Sequence, residues 1–359
     1  MLKHRLVVAA ALGCGAAAAM SLAGGPGSSS SRDAGADASR AAPACVGAAG
    51  FDLACQLRRF GSIARASGVD AAFAALKRAY EREGFVRAAC HPIVHEIGHA
   101  AVARHGTRLS EVYARGDPFC SAGYFHGATE QIVVELGAGR FVAAADGLCA
   151  DLGGHARHSI YHRNCAHGIG HGFMLVLRGD LPAALRMCDT LRDSWEQRSC
   201  YGGVFMQNVM TLGRSRYLRR GDPLYPCGEL ADRHRTMCYK KQAGYALFAR
   251  NGDIGAVFSL CARVERPFRG PCDEGLGTSV AVHHLKEVFA DRDLRRLTLE
   301  ACALGARQAD RAACVAGAVR ALINFDHGVR RASALCSAAT AALRPGCRRT
   351  MREKRTYPE

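Results

Sequence analysis

The clearest structural pattern in the chain is LPAALRMCDTLRDSWEQRSCYGGVFMQNVM, residues 181–210. Apolar side chains recur at helical spacing on both sides of a polar middle segment, 192–198. One cysteine stands at the end of the first half and another at the start of the second half. The pattern predicts two antiparallel helices that are joined by a loop and linked by a disulfide between Cys188 and Cys200.

Paired cysteines recur along the rest of the chain, which indicates that this hairpin is repeated. Pairing neighbours in sequence predicts eight disulfides, Cys45/Cys55, Cys90/Cys120, Cys149/Cys165, Cys188/Cys200, Cys227/Cys238, Cys261/Cys272, Cys302/Cys314 and Cys336/Cys347. From Cys165 onward the second cysteine returns every 33 to 42 residues, a period typical of stacked two-helix repeats. Stacking buries the apolar face that a lone hairpin would expose. We therefore predict an all-α fold of disulfide-stapled helical-hairpin repeats, an α/α solenoid.

A glycine recurs three residues after the second cysteine of most units, at positions 123, 168, 203, 275 and 317. Glycine inside a helix costs about 1 kcal/mol relative to alanine, so its recurrence predicts places where two helices touch closely. The aromatic content of 7% also favours small-residue helix packing over an aromatic-rich β-sandwich. No strand pattern precedes the glycine-rich run 168–172, which excludes a nucleotide-binding loop.

The N-terminus has the pattern of an export signal. Lys3 and Arg5 precede an apolar run, so we predict a signal peptide over residues 1–24 and a disordered linker over 25–44. The segment before Cys14 is similar to a bacterial lipoprotein cleavage site, which leaves a lipid anchor at Cys14 as an alternative. Without Cys14, sixteen of the seventeen cysteines remain, an even number that favours disulfides in an exported protein. We expect a periplasmic, lipid-anchored or extracellular location.

The net charge of +16 comes mostly from arginine. Two explanations of the arginine excess remain open. The arginines could form a basic surface that binds an anionic partner, or they could reflect GC-rich codon usage. No basic run is interleaved with aromatic residues, so we expect no nucleic-acid partner.

Histidines are concentrated in the first half of the chain. Ten of the fifteen histidines lie between residues 91 and 171. We therefore predict a His-rich helical metal-site region over 45–180, Cys-paired helical hairpins over 181–350 and a tail over 351–359.

The histidines occur at helical spacing in two related segments, CHPIVHEIGHAAVARH (90–105) and CAHGIGHG (165–172). Residues four apart on a helix are separated by about 400°, so their side chains share one face. Helical proteins build metal sites from such pairs on neighbouring helices. The first-choice ligands are His95, His99, His167 and His171, and His126 and Glu130 come next. His91 stands at the start of its helix, where it could be a ligand or could instead cap the helix or orient a ligand.

The segment His95-Glu96-x-x-His99 matches the motif in which zinc peptidases use two histidines as ligands and the glutamate as base. His105 stands at the spacing of a third metzincin ligand, but Val102 occupies the position of that family's turn glycine. Glu130, on a following helix, is the alternative third metal ligand. Glu96 and Glu130 are therefore the candidate catalytic carboxylates, with zinc as the predicted metal and copper or iron as alternatives, because imidazole suits all three.

Four motifs together resemble a group of exported bacterial Cys/His-rich helical proteins that have no established activity. They are Cys90-His-x-x-x-His-x-Ile-Gly-His, Cys120-x-x-Gly-Tyr-x-His-Gly-x-x-Glu, Cys165-x-His-Gly-x-Gly-His-Gly and Cys200-Tyr-Gly-Gly-Val-Phe-Met, which together cover about residues 88–210. The later hairpins resemble Sel1 and tetratricopeptide solenoids without their consensus residues. We predict an exported zinc-binding repeat protein that, if catalytic, is a metal-dependent hydrolase. The alternative is a non-catalytic scaffold that binds a peptide or envelope partner and whose histidines are structural.

Overall fold

The computed structural model describes residues 45–47, 50–150, 152, 159–211, 215–287, 291–324 and 328–356. The predicted signal peptide, the linker to residue 44 and Cys14 lie outside the described residues. The division into a His-rich region and a repeat region stays a prediction.

The described chain is helical, which confirms the predicted all-α class. Its helices are α1 (Leu53–Ser67), α2 (Val69–Arg82), α3 (Gly84–Ala88), α4 (Cys90–His105), α5 (Leu109–Tyr113), α6 (Gly123–Leu136), α7 (Ala138–Leu148), α8 (Ile160–Val176), α9 (Leu181–Cys188), α10 (Ser194–Met210), α11 (Asp232–Ala249), α12 (Ile254–Ala262), α13 (Arg266–Glu287), α14 (Asp291–Ala303), α15 (Gln308–Ile323), α16 (Gly328–Ala338) and α17 (Arg344–Thr356). A 3-10 turn, Cys227–Glu229, precedes α11. Two antiparallel strands of two residues, β1 (Val46–Gly47) and β2 (Gly50–Phe51), precede α1.

All eight predicted disulfides form. The hairpin that defines the repeat consists of α9 and α10, which the Cys188–Cys200 bond links. Its loop is shorter than the predicted polar segment 192–198, because α10 begins at Ser194. The Asp193 side chain accepts hydrogen bonds from the backbone N–H groups of Trp195 and Glu196 and so caps the helix there.

The longer helices pack against one another in chain order. Contacts join α4 to α6, α6 to α8, α8 to α10, α10 to α11, α11 to α13, α13 to α15 and α15 to α17. Glycines make these contacts close: a Cβ atom on Gly127 would stand 2.1 Å from the His95 carbonyl oxygen, and one on Gly203 would stand 1.9 Å from that of His167. The Cys-x-x-Gly glycines lie at such helix contacts, as predicted: Gly123 packs on α4, Gly168 on α6, Gly203 on α8, Gly275 on α11 and Gly317 on α13.

The main hydrophobic core runs through the described chain from Phe60 to Cys347, and Leu218, Tyr245 and Ala249 form a small separate cluster. The short helix α3 also contacts α13, a helix from a much later unit. None of the described helices is both long and apolar enough to cross a membrane.

Candidate metal centre

Five histidines from three helices meet in the core. They form two groups of three, His91, His95 and His126, and His126, His167 and His171. Within each group one ring nitrogen of every member lies within 4.8 Å of the others. His126 belongs to both groups, so the two groups are adjacent parts of one cluster, which we call the histidine cluster.

Glycines next to the histidines explain why the rings can meet. Gly127 follows His126 directly and touches the α4 backbone at His95, while Gly98 of α4 would place a Cβ atom 2.2 Å from the Tyr124 carbonyl oxygen. Gly168 follows His167, and a Cβ atom on it would stand 2.5 Å from Thr129 Oγ1. Because a side chain at these glycines would hold the helices apart, the small residues bring the flanking imidazoles within reach of one another.

In the first group, His91 and His95 each form a hydrogen bond through Nδ1 to an acceptor outside the cluster, so their Nε2 atoms face the other histidines. His91 Nδ1 lies 2.8 Å from the Cys120 carbonyl oxygen, and His95 Nδ1 lies 3.1 Å from Glu130 Oε2. A carbonyl oxygen can only accept, so His91 Nδ1 carries the proton and the Nε2 atom of the neutral ring is left with its lone pair. The His91 and His95 Nε2 atoms are 3.1 Å apart.

That spacing suits two ligands of one ion. Two nitrogens about 2.0–2.1 Å from a tetrahedral ion are separated by about 3.3 Å. Metal-ligating histidines usually donate their other ring N–H to a carboxylate or a backbone carbonyl, which are the two acceptors found here. The first group therefore has both the spacing and the outer hydrogen bonds of a ligand pair.

The second group contains buried ring nitrogens without a hydrogen-bond partner in the described part of the protein. They are His126 Nδ1, both ring nitrogens of His167, and His171 Nε2. The other nitrogen of His171, Nδ1, lies 2.7 Å from Gln207 Oε1 and donates outward. A buried polar atom that lacks a partner costs about 1–3 kcal/mol, and a bound cation would provide the missing interaction.

Burial keeps four rings of the cluster in their neutral, ligand form. Desolvation, reinforced by the neighbouring imidazoles, lowers the pKa of His91, His126 and His167 well below the usual value. Burial also lowers the pKa of His171 to about 4, although Glu130 opposes the shift. Neutral imidazole is the form that binds a metal, so these rings need not lose a proton to do so near neutral pH.

Glu130 lies on the outer side of the cluster. Burial would raise its pKa, but the adjacent His95 and the hydrogen bonds from His95 and His99 lower it well below the usual value, so it is ionised. The Glu130 Oε2 atom lies 3.1 Å from both His95 Nδ1 and His99 Nε2. Glu130 therefore contacts the side of His95 that faces away from His91.

His99 and Glu96 lie outside both groups. Burial opposes protonation of His99, but its hydrogen bonds to Glu130 and Glu96 raise its pKa to about 9, so the ring is a cation near neutral pH in the metal-free protein. Glu96 lies 2.9 Å from Arg65 and 3.4 Å from His99 Nδ1. His105 is the last residue of α4 and also lies outside both groups.

Two other contacts were not foreseen from the sequence. Gln207 stands four residues after Gly203 on α10, so the crossing that brings Gly203 to His167 also brings Gln207 to His171. His162 lies in α8 and is buried, with its Nε2 atom 2.7 Å from Glu196 Oε1. The neighbouring His155 and His158 lie outside the described residues.

Comparison with known proteins gave no match: no family model, no curated protein and no solved structure is significantly similar to this chain.

Proposed function

We propose that the protein is an exported metal-binding protein whose histidine cluster holds a divalent transition metal, with zinc as the first candidate. The observation that carries the proposal is the orientation of His91 and His95, whose Nδ1 atoms face outer acceptors while their Nε2 atoms face each other at 3.1 Å. The buried, unpartnered nitrogens of His167 and His171 provide further donors beside them.

The donor set limits the metal. All cysteines in the described chain form disulfides, so the cluster offers imidazole rather than thiolate ligands. Three histidines with one open position form the usual catalytic zinc site, whereas copper and iron accept the same ligands. The eight disulfides indicate an oxidising compartment, which supports export. We include in the proposal a periplasmic or extracellular location, with lipid attachment at Cys14 as the variant that would place the protein at a membrane.

Access to the cluster supports the further proposal of a hydrolase. A cavity of about 290 Å³ is lined by His91, His126 and His167, so a small molecule could reach them. A metal bound there would supply a Lewis acid and an activated water. Within this site, Glu130 fixes the ring orientation and the tautomer of His95. Neither Glu96 nor Glu130 lines the cavity, and their role as catalytic bases stays a prediction.

The test is elemental analysis of the oxidised protein purified without a metal-affinity tag. We expect about one or two equivalents of zinc, copper or iron in the parent protein. His126→Ala should lose the metal, because His126 belongs to both groups. His284→Ala is the matched control: His284 is also buried, but its Nδ1 atom pairs with Thr298 Oγ1 and it lies outside both groups.

A metal-free parent protein that stays folded and gains no metal on incubation would refute the proposal and favour the scaffold with structural histidines. If metal binds and a hydrolysed substrate is found, Glu96→Gln and Glu130→Gln variants that retain the metal test the two carboxylates. Turnover that is unchanged in both variants would exclude them as bases.

A further inference from the structure

Gly202 of α10 leaves a space beside His167. A Cβ atom at residue 202 would stand 3.0 Å from His167 Nδ1 and 3.6 Å from the sulfur of Met237, which lies on α11. At Gly203 a Cβ atom would meet the α8 backbone, whereas the nearest atoms at Gly202 all belong to side chains. A backbone contact therefore does not explain Gly202, and its lack of a side chain leaves a ring nitrogen and a thioether sulfur at the edge of one space.

A second thioether lies one turn further along the same side of α10. Gly202, Met206 and Met210 are four residues apart, so their side-chain positions share one side of the helix. Met206 and Met210 line the cavity of about 290 Å³ that His167 also lines, so this side of α10 faces the cavity. The cavity therefore brings Met206 to the same wall as His167 and gives a small ion a path to both.

The His167 ring supplies an independent indication that a ligand binds here. His167 is 2% exposed, and neither of its ring nitrogens has a hydrogen-bond partner in the described structure. Buried polar side chains are normally hydrogen-bonded, so two unpartnered nitrogens on one buried ring indicate a missing partner. The Met237 sulfur is only a weak hydrogen-bond acceptor and does not replace that partner, whereas a soft metal ion would bind both atoms.

The donor atoms favour a soft ion with a single charge. Thioether sulfur selects Cu(I), and imidazole also suits copper. All cysteines of the described chain form disulfides, so methionine supplies the soft donors in this part of the protein. His167 in its metal-binding form and both methionines are neutral, and the cost of burying an ion rises steeply with its charge, so a monovalent ion costs less to bury here than a divalent one.

We propose that His167, Met206 and Met237 bind a monovalent copper ion at the wall of this cavity. Methionine side chains are unbranched and have three rotatable bonds, so the two sulfurs can close on an ion beside His167. His167 then binds copper, and the first group of three histidines remains for the divalent ion proposed above. Because the copper site uses none of those three histidines, it does not depend on the divalent ion.

The experiment is an anaerobic titration of the metal-free, oxidised protein with Cu(I) in competition with bicinchoninate, a chelator of that ion. Silver(I), which is soft and monovalent and needs no reductant, is the second probe. We expect about one equivalent of copper, with sulfur scattering in its X-ray absorption spectrum, which a site of histidines alone would not give. Met206→Leu and Met237→Leu should each weaken the binding of Cu(I) and silver(I) about tenfold or more, since loss of even an outer-shell partner of a metal costs about 10- to 100-fold.

Met174→Leu is the matched control. Met174 is buried on α8, the helix of His167, but it does not line this cavity. Leucine and methionine have similar volumes, so all three substitutions preserve packing, and the Cu(I) affinity of Met174→Leu should stay within about threefold of the parent protein. Since Met206 and Met237 lie on different helices, one variant still tests the proposal if the other does not fold.

The proposal is overturned if the protein binds neither Cu(I) nor silver(I), if the bound copper shows no sulfur scattering, or if Met206→Leu and Met237→Leu bind Cu(I) as tightly as Met174→Leu. Zinc titrations of the same proteins separate the two metal proposals. Zinc binding by a protein that binds no Cu(I) would refute the copper site alone. Methionine-dependent Cu(I) binding by a protein that takes up no divalent metal would refute the divalent site alone.

Discussion

Gly203→Ala tests whether the close helix contacts position the histidine cluster. A Cβ atom at residue 203 would lie 1.9 Å from the His167 carbonyl oxygen and 3.1 Å from the His171 backbone nitrogen, whereas ordinary contact begins at about 3.4 Å. The neighbouring atoms belong to a helix backbone and cannot rotate away. The helices α8 and α10 would therefore have to separate by about 1.5 Å.

The expected change in the free energy of unfolding is the difference between two effects. Alanine gains about 1 kcal/mol over glycine in a helix, and overpacking costs about 1–3 kcal/mol or more where backbone meets backbone. We expect a net loss of about 2 kcal/mol in the free energy of unfolding. The shift should also lengthen the 2.7 Å contact between Gln207 and His171, so metal affinity should fall about tenfold or more.

The assay is denaturant unfolding with the disulfides intact, together with metal titration. Two alanine variants serve as controls. Gly317→Ala would place a Cβ atom 1.9 Å from the Glu274 carbonyl oxygen between α13 and α15, so it should lower stability similarly and leave metal affinity unchanged. Gly139→Ala in α7 meets no atom within 4 Å and should stabilise the protein by up to about 1 kcal/mol. A Gly203→Ala protein that behaves like Gly139→Ala would refute the reasoning.

Two further predictions concern single side chains. Burial and the charge of Asp310 raise the pKa of Asp273 to about 7, so the folded protein holds this proton more tightly than the unfolded chain, and the free energy of unfolding should fall as pH rises from about 4 to about 8. Asp273→Asn should flatten that slope in urea titrations across this range, and an unchanged slope would contradict the assignment. Gln207→Leu should weaken metal binding about 10- to 100-fold by removing the acceptor of His171 Nδ1, whereas Gln131→Leu, which removes a surface bond to Glu135, should not; equal metal affinities would contradict the orienting role.

The helices and disulfides could be predicted because their signals are local. A cysteine pair such as Cys302/Cys314 encloses one turn between two helices, and with 12 residues of separation few other partners are within reach. The apolar spacing of residues 181–210 likewise depends only on neighbours in sequence. The pairs of metal-ligand residues four apart, two histidines on each of α4 and α8 and His126 with Glu130 on α6, were recognisable for the same reason.

The sequence could not decide which of the predicted ligand residues meet and which stay apart, because that depends on how far one helix is displaced along the next. His91, His95 and His99 share a face of α4, but each step of four residues advances about 6 Å along the helix. The crossing of α4 and α6 at Gly98 and Gly127 fixes which turn of α6 each ring faces. It places His126 beside His91 and His95, and Glu130 beside His95 and His99.

This placement changes the interpretation of the zinc-peptidase-like motif. In that motif His95 and His99 would share one ion and Glu96 would face its water. Here Glu130 accepts hydrogen bonds from both histidines, and on the far side of His99 the Glu96 carboxylate pairs with Arg65. Charged groups therefore alternate from the surface inward, from Arg65 through Glu96 and His99 to Glu130, which contacts His95. In the proposed metal site, an anionic Glu130 held in this way would strengthen the Nδ1–H bond of His95 and make its Nε2 atom a better donor to the metal. His99 and Glu96 would then support the ligand His95 through Glu130 rather than bind the ion themselves.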